Sequence, residues 1–218
     1  EVRVDDARLS LDDFANDIGA ATVVKVADGG QLYLLGGGSS TYPVEIEGQG
    51  WEEAVGSLGS LRVEGGTTQA GPVTLTGDAR MGTWGSQTGT VAGDIGEAGG
   101  AHALEIWNGN AGADGVLALS GDNSHSGGTT VRGLTVLAQS ETALGSGPAT
   151  IAAHPVEPAR RSRLQLDGVT LANDLTVEAN GSLAGEGGTT GEVSLTGGAI
   201  APGAIVGALT VGSLEFGV

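Results

Sequence analysis

The feature that most constrains this chain is its punctuation. Runs of three to five residues alternate apolar and polar, and a Gly-rich corner cuts each one off. The runs fall at 23–26, 31–35, 44–47, 61–63, 73–75, 104–107, 116–119 and 129–131, then at 134–137, 149–151, 164–166, 175–177, 192–195 and 209–211. Alternation over so few residues signals half-buried strands. The Gly-Gly, Asp-Gly, Asn-Gly and Ser-Gly pairs between them mark turns. Glycine reaches 42 of the 218 residues, supplying positive-φ corners at little steric cost. Such strands can build a sandwich, a propeller or a solenoid. The connections are irregular in length, and few resemble two-residue hairpin turns between matched strands. The expected fold is therefore all-β, a right-handed parallel β-helix of about ten coils with roughly 20 residues each, with a β-sandwich as the competitor.

Composition fits a thin core. Aromatics make up 3% of the chain, too little volume for a thick interior, whereas rows of Val, Leu, Ile and Ala suit strands that each turn only two or three residues inward. Net charge is −17, from 26 acidic and 9 basic residues, and Lys25 is the only lysine. That balance repels phosphate backbones and anionic lipid surfaces, which argues against nucleic-acid or membrane partners. The absence of Cys removes disulfides, zinc–thiolate sites and thiol nucleophiles together. No apolar run approaches the ~20 residues of a membrane helix. The start at Glu1 and the apolar ending Leu214-Glu215-Phe216-Gly217-Val218 suggest one solenoid segment, 1–218, taken from a larger precursor. One stretch breaks the pattern. Residues 10–19 carry a capping-box-like start, Leu11, Phe14 and Ile18 at helical spacing, and a terminating Gly19. They fit either a short helical cap within 1–20 or an ordinary loop.

From Val116 the residues become more specific. Leu117-Ala118-Leu119-Ser120-Gly121-Asp122-Asn123-Ser124-His125-Ser126-Gly127-Gly128-Thr129-Thr130-Val131 resembles the autotransporter passenger-associated repeat. Its continuation is similar too, through Leu134-Thr135-Val136 and Ala143-Leu144-Gly145-Ser146-Gly147-Pro148-Ala149-Thr150-Ile151. A closing segment, Ile200-Ala201-Pro202-Gly203 followed by Gly207-Ala208-Leu209-Thr210-Val211-Gly212, resembles the end of such passengers. The resemblance covers 116–212; residues 1–115 share only the texture. Two departures stand out: an insertion at 153–163, and His125 where the family's turn is tyrosine-like. What the resemblance implies is a β-helix on a bacterial surface or secreted from it.

Candidate chemistry is sparse. His102, His125 and His154 lie in separate Gly- or Pro-rich contexts with no ligand spacing, so they are expected at the surface or in turns. Glu52-Glu53 and Asp12-Asp13 are the densest acidic pairs. Adjacent carboxylates are poorly placed for glycosidase chemistry, and no Asp-rich calcium loop accompanies them. No catalytic residue, metal ligand or cofactor is expected, with a weakly held Ca2+ as the one ion left open. Arg160, Arg161 and Arg163 form the only basic cluster, read either as a contact for an acidic partner or as a solvated loop. Trp51, Trp84 and Trp107 offer stacking surfaces for sugars, or else fill wide coils. Asn123, Gly127, Gly128, Pro202 and Gly203 are expected to shape turns, Asn123 through local backbone bonding and tolerance of the left-handed conformation. The expected function is a non-catalytic extracellular stalk or adhesive module. One alternative is a self-associating filament or surface-layer segment; another is a carbohydrate-binding or carbohydrate-active β-helix. Partners would be a glycan, a protein surface or further copies of the chain.

Overall fold

The computed structural model describes residues 1–12, 18–19, 23–54, 56–109, 114–157, 160–203 and 208–217. Every described strand except one short pair joins a single wound sheet, and its ladders are parallel. The chain is a β-solenoid with three faces. The first face stacks Val2–Val4, Val24–Val26, Val44–Gly48, 73–75 and Ile95–Glu97, and resumes at 169–171, 187–189 and 209–211. The third stacks Gly38–Ser40, Thr67–Gln69, Thr88–Val91, Val116–Leu119 and Thr135–Ala138, then 163–166, 182–185 and Ala199–Pro202.

The second face is continuous from end to end. Its inward row runs Leu9, Leu32, Leu61, Met81, Ile106, Val131, Ile151, Val177, Leu195 and Phe216, nine register steps without a break. From Leu32 to Val177 this row is fully buried. Each such aliphatic side chain contributes about 1.5–3 kcal/mol of burial, so the row is a principal source of stability. Its alternation with outward polar residues is the pattern visible in the sequence. Coil length varies more than expected. Partners lie 17 residues apart between Ser182 and Ala199 and 29 apart between Val44 and Val73. The longer turn carries the antiparallel pair Glu52–Glu53 and Gly56–Ser57 outside the main sheet.

Between Ile95–Glu97 and 169–171 the first face has no strand, and asparagine side chains bridge the gap. Asn123 Oδ1 accepts the Ile95 N–H at 2.8 Å while its Nδ2 donates to Ala143 O at 2.7 Å. Asn173 Nδ2 reaches Gly145 O at 3.1 Å and Gly147 O at 2.6 Å. Asn123 does this without a left-handed backbone; among described non-glycine residues, only Asp6 and Asn180 adopt one. Gly128 does need its freedom: φ is 94°, and a Cβ there would come within 2.9 Å of Pro148 O. At Gly127 a Cβ would meet the His102 carbonyl carbon at 2.2 Å. Pro202 ends the last strand of the third face, and Gly203 N–H donates to Gly185 O at 3.0 Å.

The expected helical cap is not supported where it can be inspected. Ser10 and Leu11, its intended start, belong to the strand Arg8–Leu11. Leu11 pairs with Leu34 and is buried, because an inward place in the second face holds more apolar contact than a helix start would. Phe14 and the rest of 13–17 lie outside the described residues. No described residue is helical.

Candidate functional site

The outward side of the second face, midway along the solenoid, carries the densest polar and aromatic chemistry. Register places Tyr33, Arg62, Gly82, Trp107 and Arg132 in one outward row. Arg80, Glu105 and Thr130 form the neighbouring row. Glu105 holds both arginines, Arg80 at 2.8 Å and Arg132 at 3.0 Å. The Arg80 guanidinium also lies 4.2 Å from the Trp107 ring centroid, a cation–π distance. Further toward the N-terminal end the theme repeats. Arg62 sits 4.3 Å from the Tyr33 ring centroid and pairs with Glu64 at 2.5 Å and Glu53 at 3.1 Å. Arg8 approaches the same Glu53 at 3.3 Å and lies 5.0 Å from the Trp51 ring centroid.

A groove of about 470 Å³ follows the adjacent corner, lined by Asp28, Glu47, Asp78, Arg80, Glu105 and Arg132 among others. A second hollow of about 560 Å³ shares Asp28 and includes Trp51 and Glu52. A third, of about 280 Å³, shares Glu47 and includes Lys25 and Glu45. Acidic residues dominate these walls, while Arg80 and Arg132 are already committed to Glu105. The arrangement suits hydrogen bonding to an extended polar ligand. Among the described residues, no three His, Cys, Asp or Glu converge as a metal site.

The structure separates the three tryptophans by role. Trp51 is 36% exposed beside the 560 Å³ hollow. Trp84 is half-buried, with its ring 3.2 Å from where a Cβ on Gly109 would sit. Trp107 is only 8% exposed, closed in by His154 at 4.3 Å between ring centroids and by Arg80. Its geometry is that of packing, which removes it as a sugar platform.

The basic cluster also divides. Arg160 is 7% exposed, so it is not part of a solvated loop. Its Nη1 donates to the carbonyl of Asn108 and its Nη2 pairs with Glu157 at 2.8 Å. Arg161 is exposed, and Arg163 projects from the third face between Thr135 and Ser182. The insertion therefore brings His154 onto Trp107 and Arg160 onto the neighbouring Asn108 carbonyl, and sends the other arginines elsewhere.

Two histidines correct the surface assignment. His154 is 2% exposed, and His125 is fully buried. His125 Nε2 lies 2.8 Å from Thr129 Oγ1, which donates to Leu144 O at 2.9 Å; the chain of donors places the imidazole proton on Nε2. Burial holds the pKa of both rings below the ordinary histidine range, and at His154 the Arg160 charge adds to it. His102 does lie in a turn, half-buried, with Nε2 3.0 Å from Ala98 O. The organising residue nearby is Glu97, which the sequence does not single out. It accepts from Ser126 Oγ at 2.6 Å, His102 N at 2.8 Å and Ser126 N at 3.1 Å. These bonds, the serine hydroxyl first, hold its pKa down to about 2. Such a carboxylate is a structural acceptor at neutral pH.

Comparison with known proteins returned no likeness: no family model, no curated protein and no solved structure matches the chain.

Proposed function

We propose that this chain is a non-catalytic structural or adhesive segment of a bacterial surface or secreted protein, a short stiff rod that spaces or displays other elements. The observation that carries the reading is the unbroken inward row of the second face, nine parallel steps long. Parallel pairing with a continuous aliphatic spine gives stiffness along the axis, at roughly 4.8 Å per step. The resemblance of 116–212 to autotransporter passenger-associated repeats supports an extracellular setting, and the surrounding acidic surface favours solubility. The test has two arms. Antibody raised against the chain should label intact cells of the source organism; labelling only after permeabilisation overturns the location. Incubation with a polysaccharide panel should release no reducing ends; release overturns the non-catalytic assignment.

A glycan-binding reading is favoured by one observation, the partly exposed Trp51 beside the 560 Å³ hollow and the Asp28 groove. Aromatic faces stack on sugars, and the acidic walls accept hydrogen bonds from hydroxyls. A glycan array should then show hits that Trp51→Ala abolishes. A blank array removes this reading and leaves the rod untouched.

A further inference from the structure

We infer that the segment 154–157 is an acid-released cover for Trp107: at neutral pH it seals the indole, and protonation of His154 lifts it while the solenoid beneath stays wound. Anchors hold the insertion at both ends. Arg132 Nη1 donates to the Ala153 carbonyl, and the Ala153 N–H donates to Glu178 Oε2 at 3.1 Å. On the far side, Ser162 Oγ donates to Ala152 O at 2.6 Å and accepts the Gly133 N–H at 2.9 Å. Between these anchors His154 carries the cover down onto the second face. Its ring centroid lies 4.3 Å from that of Trp107, and its Nδ1 accepts the Glu157 N–H at 3.1 Å. Both rings are buried although Trp107 stands in an outward row, so the shelter of the indole comes from what is laid over the sheet.

One lone pair makes the cover titratable. An Nδ1 that accepts the Glu157 N–H carries no proton, so neutral His154 is protonated at Nε2. Any further proton can go only to Nδ1, where it displaces the Glu157 N–H and turns an acceptor into a donor. The new charge also enters a buried, cationic corner. A Cβ on Gly133 would sit 2.6 Å from Arg160 Cδ and 2.9 Å from His154 Cδ2, which sets Arg160 beside the ring. Arg132 stands at Ala153, and Arg80 already lies over the Trp107 ring at 4.2 Å. The facing carboxylates are engaged: Glu157 by Arg160, Glu105 by Arg80 and Arg132, and Glu178 by the Ala153 N–H. Burial and then the Arg160 charge oppose protonation, Glu157 and the Asn108 backbone favour it less, and the folded pKa lies below the ordinary histidine value. A ring lifted into water regains its ordinary proton affinity. Closure is therefore complete above about pH 6.5 and weakens as pH falls toward the folded value. The lifted state presents an indole flanked by Arg80, a contact surface open only in acid.

Fluorescence of the full chain carrying Trp51→Phe and Trp84→Phe, with acrylamide as quencher, tests this, because Trp107 is then the only indole. From about pH 7.5 to about pH 5 its quenching should rise several-fold and its emission move to the red. Far-UV circular dichroism should not change over that range. His154→Gln keeps an acceptor for the Glu157 N–H and cannot titrate, so Trp107 should stay sheltered throughout. His154→Ala should be quenched as strongly at neutral pH as the unsubstituted histidine chain is in acid. NMR of the unaltered chain reads the same event without the tryptophan changes. The His154 Cε1–H and Trp107 Nε1–H signals should move together, with one midpoint below 6.5. Three results overturn the inference: a Trp107 equally sheltered across the range, an exposure that appears only as the β signal is lost, or a His154→Gln chain that responds like its parent.

Discussion

The turns before residue 115 and those after it share one inward spine and wear different coats. Along one outward row of the second face, Arg80 and Glu105 give way to Thr130, Thr150, Thr176 and Ser194. The earlier turns carry most of the ion pairs, the stacked arginines and the excursion that holds Glu52–Glu53 and Gly56–Ser57. The later ones carry short hydroxyl side chains and asparagine-bridged corners. Strand geometry explains how both can be stable. Inward residues set the fold because they alone meet the neighbouring turns' interior, while outward residues are free to differ. The motifs that resemble a repeat family lie in the plainer half, where the corners themselves hold the structure and so leave a pattern in the sequence.

The most severe way to break the comparison is to cut the element common to both halves. Ile106→Ala, buried between Met81 and Val131, should lose about 2–5 kcal/mol in denaturant unfolding, whereas Phe216→Ala should stay within about 0.5 kcal/mol. Equal effects would mean the spine is not the source of stability. The next effect belongs to the asparagine bridge where the two halves meet. Asn123→Ala strands the Ile95 N–H and the Ala143 carbonyl, and should lower stability by about 1–3 kcal/mol. Hydrogen exchange at Ile95 should quicken with it.

Acid sharpens the contrast further. Both buried histidines have folded pKa values below their unfolded ones, so unfolding takes up protons. Their contribution is complete above the ordinary histidine pKa of about 6.5 and is lost as pH falls toward the folded value. Thermal melts should show falling stability from about pH 7 to pH 5, and His154→Asn should flatten part of that slope by removing the Trp107–Arg160 member. Glu97 acts at lower pH. Its support should be complete above the ordinary value of 4.5 and be lost progressively as pH falls from there toward about 2; Glu97→Gln should remove that step. The smallest change is expected at Glu105→Gln, about 1 kcal/mol or less for a partly exposed pair, with a reduced dependence on salt. A larger loss would show that the charged coat supports the spine.

The strands were legible because Leu61, Ile106 and Val177 repeat one local pattern that needs no knowledge of the partner turn. The interior places of Arg160, His125 and His154 were not. Their burial depends on which turn lies beside which, and coil lengths from 17 to 29 residues leave that undetermined in the sequence. A usable signal did exist at Trp107. A large ring on the outside of a thin solenoid needs a cover, and the insertion at 153–163 follows the Ala149–Ile151 strand, two turns on along the same face. The second-face arginines were likewise obscured, since Arg8, Arg62, Arg80 and Arg132 are far apart in sequence and meet their partners only through register.

Turns of 17 and 29 residues stack along the same third face, so the sheets respond to phase and are indifferent to count. A corner can lengthen by a whole excursion, as at 49–58, and the following strand still enters with Leu61 facing inward. Length is therefore a free variable at the corners and a forbidden one within the strands, where adding a single residue would turn every following side chain over. A chain built this way can acquire new surface by insertion without renegotiating its interior, and its history of change should be written almost entirely in its corners.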